Sequence, residues 1–132
     1  MNIIQKELTF GSVEKARKLF QKHKNILRVL VLNQQGLPVL QLSNLDEFSR
    51  IVDEEECAMG AELTRKVFDI IKVFRGREPF RIAFFFNDEV ITVDRKGPFI
   101  FIVTWPESAL KAASSSESFI KRLQATLAED LA

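Results

Sequence analysis

Apolar residues along this chain recur at two different periods, and the switches between them mark out its elements. From Ser12 the spacing is helical: Val13, Ala16, Leu19, Phe20 and His23 share one side, and Asn25 can end the segment. Residues 26–33, ILRVLVLN, predict a strand. Residues 37–43, LPVLQLS, predict its return, with Asn33-Gln34-Gln35-Gly36 as the turn between them. Pro38 has no N–H for a ladder, which places the returning strand at a sheet edge. Residues 44–52 form a connection anchored by Leu45, Phe48 and Ile51, and residues 53–75 read as one long helix. Three strands follow, over 80–87, 90–94 and 98–105, joined by turns short enough to make them antiparallel. A polar linker, 106–116, has Ser114-Ser115-Ser116 as its mobile part. In the closing helix, 117–131, Phe119, Leu123, Leu127 and Leu131 repeat every four residues, reinforced by Ile120. Ser114 and Glu117 fit a capping box. The first ten residues suit either an extra strand or a short helix.

The long helix is the unusual element. At 3.6 residues per turn, Met59, Ile70, Leu63, Phe74, Val67, Gly60, Ile71, Thr64, Phe68 and Ala61 fill one arc of roughly 200°. A helix that covers one surface needs a stripe of about 100° or a little more. Such a width calls for two partners, a sheet from the same chain and a surface from another. The ends are well marked. Asp53 with Glu56 fits a capping box, and the acidic run 53–56 suits the positive end of the helix dipole. Lys72 and Arg75 occupy the last turn, Gly76 supplies a left-handed cap, and Pro79 forbids continuation.

The strands alternate without turning polar on either side. Ile82, Phe84 and Phe86 oppose Ala83 and Phe85; Phe99, Phe101 and Val103 oppose Ile100 and Ile102. Both faces of the sheet therefore need cover. The expected fold is an α+β, three-layer α/β/α sandwich on a five-stranded antiparallel sheet. Its order is helix, strand, strand, helix, strand, strand, strand, helix. Residues 12–132 form the domain and 1–11 an N-terminal extension. If the first hairpin docks beside residues 98–105, the strand holding IAFFF is left at the rim, where a bare apolar edge invites a second chain. Two copies paired there would bring their long helices together across a two-fold axis. That assigns the interface to Gly60, Leu63, Val67, Phe68, Ile71, Phe74, Ile82, Phe84 and Phe86. In the competing arrangement the N-terminal segment covers the same edge and leaves a monomer.

Composition removes more functions than it adds. The 132 residues suit one core, and net charge is +1, so the chain as a whole is no polyanion binder. No nucleic-acid partner is expected. One Cys excludes an intrachain disulfide and fits a reducing cytoplasm. There is no signal-like start and no apolar run of membrane-spanning length, so direct membrane insertion is not expected. Twelve Phe with no Tyr favour dry packing over polar recognition. No Gly-rich phosphate loop is present, His23 has no second ligand at metal spacing, and Cys57 has no base beside it in sequence. Asp88, Glu89 and Asp94 fit turns. No catalytic residue, cofactor site or metal site is expected, and the chain is read as no enzyme. Two basic features remain. Lys15, Arg17, Lys18, Lys22 and Lys24 give the first helix a solvated face or a patch for anionic lipid or acidic protein. Arg75, Arg77 and Arg81 cluster after the long helix, where they suit the helix's negative end and sheet-edge solubility, or could reach a phosphate in a bound GTPase.

These patterns together resemble the Roadblock/dynein light-chain family, with its archaeal, bacterial gliding-motility and lysosomal-scaffold members. The resemblance spans roughly residues 12–131. It rests on the hairpin VLVLNQQGLPVLQLS and on the acidic start of a long helix carrying Cys57, Ala58, Gly60 and Ala61. It rests also on the meander FRIAFFFNDEVITVDRKGPFIFIVTW and the closing SESFIKRLQATL. Asn33 stands where the family often has Asp, and Ser118 where it often has Gly. The resemblance implies a homodimer, or a heterodimer with a paralogue, built on a continuous ten-stranded sheet. It implies work on a small Ras-like GTPase as scaffold, activating protein or exchange factor. Rival readings are a longin- or profilin-like trafficking module and a small-molecule sensor.

Overall fold

A computed structural model describes residues 3–5, 8–23, 25–43, 54–106 and 117–131 of the chain, with side chains for 8–23, 25–43, 58–106 and 118–128. The elements run β1 (Ile3–Gln5), α1 (Phe10–Lys22), β2 (Arg28–Leu32), β3 (Pro38–Ser43), α2 (Glu54–Arg75), β4 (Arg81–Phe85), β5 (Glu89–Lys96), β6 (Phe99–Pro106) and α3 (Glu117–Leu131). All strands are antiparallel neighbours in one sheet of order β1-β3-β2-β6-β5-β4. The five strands expected from alternation are present. The first hairpin docks on β6, with Val29 opposite Val103, so β4 ends up at the rim.

Of the two options open for the start of the chain, the strand is the one formed. Ile3–Gln5 pairs with Leu40–Leu42 as a sixth strand, Leu8 enters the core, and α1 begins at Phe10. Ile3–Gln5 is thus hydrogen-bonded into the same sheet as the later strands. The Thr9 side chain caps α1, accepting from the Ser12 N–H at 3.2 Å, an arrangement worth about 1 kcal/mol. The expectation that Pro38 marks an edge fails for the same reason. β1 occupies the outer side of β3 over residues 40–42, while Pro38 opens the strand beyond that pairing, where its missing N–H costs nothing.

Two cores sit on opposite faces of the sheet. On one, Val13, Ala16 and Phe20 of α1 and Phe119, Ile120, Leu123 and Leu127 of α3 pack on Val29, Val31, Leu42, Phe101, Val103 and Trp105. On the other, Ala61 and Phe68 of α2 pack on Leu30, Leu32, Val93 and Ile100, with Ile82, Ile91 and Ile102 half-covered. Fully burying a side chain of this size stabilises by about 1.5–3 kcal/mol. The hairpin turn depends on Asn33, whose Oδ1 accepts from the backbone N–H groups of Gln35 and Leu37 at 2.9 and 3.0 Å. Gly36 takes φ 82° there, and Gly76 takes φ 70° to stop α2. The 44–52 connection, the Asp53 and Ser114 caps, the serine run and the Cys57 side chain lie outside the described residues.

Candidate functional site

Exposure along α2 follows the predicted arc from one end to the other. Ala61 and Phe68, at one limit, are buried; Thr64, Ile71, Gly60 and Val67 are half-buried; Leu63, Ile70, Met59 and Phe74 lie open. Phe74 is 82% exposed and Met59 73%. The chain's own sheet therefore takes roughly half of the apolar arc and leaves the other half in water. Water contact at these side chains carries a standing free-energy cost that a second surface would remove.

The sheet edge beside α2 is open in the same way. Among the described residues β4 pairs with β5 alone, and β1 lies on the far edge, so the arrangement in which the N-terminal segment covers β4 does not occur. Phe84 and Phe86 are exposed on the α2 side, and Phe85, 69% exposed, lies on the other side beyond the reach of α1 and α3. Cover on both sheet faces thus gives out within β4, which is half-buried over Arg81–Ala83 and open at Phe84 and Phe85, a correction to the sequence expectation.

Among the residues assigned to an interface, Leu63, Phe74, Phe84 and Phe86 are exposed, and Gly60, Val67, Ile71 and Ile82 are half-buried. Phe68 is 0% exposed. It points into the sheet, with the Arg95 guanidinium 5.4 Å from its ring centre, and is no interface residue. Sequence reasoning left out Met59 and Ile70, which the same arc contains, and Phe80, whose ring stands between Arg81 and Lys96 at 5.6 and 5.7 Å.

The three arginines do converge. Arg75, Arg77 and Arg81 line one open groove of about 420 Å³, floored by Ile71, Pro79 and Phe80 at the junction of α2 and β4. Their states differ. The Arg81 side chain forks onto Asp94 directly across the ladder, with Nε–Oδ1 2.8 Å and Nη2–Oδ2 3.0 Å. Asp94 lies inside β5 and is fully buried, in contrast to the turn role expected of it. Arg81 is thus committed to holding β4 on β5. Glu78, on the groove wall, pairs at 3.3 Å with Arg95. Arg75 and Arg77 are exposed and make no ion pair among the described residues. Among the described residues no group of three or more His, Cys, Asp or Glu side chains is placed to hold a metal, and no helix is long and apolar enough to cross a membrane.

No protein-family profile matches the sequence, and no curated protein matches it. Solved structures do match its shape. An MglB structure with a tetrameric arrangement superposes with a TM-score of 0.76 at 12% identity, covering 93% of this chain and 95% of that one. The gliding protein MglB from Thermus thermophilus gives 0.69 at 13% identity, covering 92% of each. The Roadblock/LC7 domain from Streptomyces avermitilis gives 0.52 at 12%, covering 83% of this chain and 92% of that one. At these identities the likeness speaks for architecture, and on that ground the chain has the Roadblock fold.

Proposed function

We propose that this chain is a dimeric, non-catalytic adaptor that binds and regulates a small Ras-like GTPase. The observation that carries the reading is the open half of the α2 arc lying beside the open β4 edge. One two-fold operation covers both at once: antiparallel β4 strands join two sheets into one, and the α2 helices meet above the seam. The family resemblance supplies the GTPase as the partner, and the shared shape with MglB agrees with it. Arg75 and Arg77, unpaired at the rim of the groove, are the charges offered to that partner. Arg81 is not, because Asp94 holds it.

Light scattering at working concentration tests the dimer, which predicts twice the 15.1 kDa chain mass. Mixing with the small GTPases of the source organism, loaded with GDP or GTP, tests the adaptor role through binding and hydrolysis. Failure to bind any of them in either nucleotide state overturns it, whatever the scattering result.

A further inference from the structure

The outer surface of the α1–α3 layer carries charge that the adaptor reading leaves unused. Lys18 and Lys22 stand one turn apart on the exposed side of α1. Lys121 and Arg122 are exposed in the first turns of α3. The two helix ends meet: the His23 ring packs edge-on against Phe119 at 4.8 Å between centroids. Burial pushes the His23 imidazole below its ordinary value, and the nearby charges of Arg122 and Lys22 push it further the same way, so one cation from each helix lies close to this point.

Four arginines elsewhere in the described residues find carboxylates. Arg17 pairs with Glu14, Arg65 with Glu62, Arg81 with Asp94 and Arg95 with Glu78. Lys18, Lys22, Lys121 and Arg122 form no ion pair among the described residues; Glu14, one turn before Lys18, is the acid on α1 and feels its charge, and the α3 acids Glu117, Glu129 and Asp130 have side chains outside the described residues. Like charges brought close oppose folding, a cost that a bound anion would offset.

We infer that this face docks on an anionic lipid bilayer. Three of the four cations are lysines, point charges with no fixed fork, which suit the diffuse charge of a lipid surface better than a single bidentate carboxylate. The face is the outside of two packed helices, and the arginine-lined groove lies elsewhere, at the α2–β4 junction. It is also on the opposite side of the sheet from α2, so it stays open when α2 is covered. If β4 edges join two copies, both α1–α3 layers lie on one side of the extended sheet and present the cluster twice to the same plane. The inference stands on a single copy and does not need the GTPase.

The test is cosedimentation of the full chain with vesicles. It is expected to bind phosphatidylcholine vesicles containing phosphatidylserine at low salt, to release at high salt, and to ignore pure phosphatidylcholine. Each surface cation contributes about five-fold in partitioning, so Lys18→Glu with Lys22→Glu should lower binding by about 25-fold or more. Lys66→Glu with Lys72→Glu makes the same change in net charge on exposed positions of α2 and should bind nearly as the parent does. Circular dichroism checks that both variants are folded. Absence of binding to the mixed vesicles, equal binding to pure phosphatidylcholine, or equal loss in the two variants overturns the inference. The first of these outcomes combined with capture of an acidic protein would reassign the face to a protein partner.

Discussion

Removing the guanidinium from Arg81 leaves a carboxylate, Asp94, sealed in the sheet with its fork partner gone. Breaking a buried pair from one side costs about 3–5 kcal/mol, so Arg81→Ala should lower the urea midpoint strongly. Arg81→Lys should recover only part, because an ammonium cannot reproduce the two parallel bonds. His23 gives a pH signature. Its folded-state pKa is depressed, so the unfolded chain binds the proton more readily. The neutral ring's contribution is therefore complete above the ordinary histidine value and declines as pH falls from there through the lowered one. His23→Phe, which keeps the ring against Phe119, should remove that decline in melts taken across the window. At this scale the sequence revealed which residues carry charge and not which are spent. Arg81 and Asp94 meet because of strand register, and register has no trace in local spacing.

The α2 helix was the most legible element. Its length, its Gly76 stop and the width of its apolar arc follow from composition and periodicity alone. What periodicity cannot say is where along the arc the sheet's cover ends, and Phe68 falls on the covered side of that boundary. The two sides of that boundary should answer differently to mutation. Leu63→Glu or Phe74→Glu places charge on an open surface, leaves the melting behaviour of a single copy nearly unchanged, and should turn a dimer into a 15.1 kDa species in light scattering. Phe68→Ala empties a core position and should cost about 3–5 kcal/mol in a urea melt of the chain.

For the molecule as a whole, layer order and antiparallel pairing were readable from the turns and the two-sided alternation of residues 82–86 and 99–103. The N-terminal strand was not, since three residues are too few to display a period, and Pro38 argued for an edge that β1 in fact occupies. That small strand bears on how far assembly can run. A sheet with two long bare rims can add copies at either one without closing, and so grows into a filament. Here β1 lies along the second rim and offers only three paired residues, so if two copies share β4, the proposed assembly has no second long rim on which to grow. Deleting residues 1–7 should strip that stop from the six-residue PVLQLS strand, and light scattering should then find particles that lengthen with concentration.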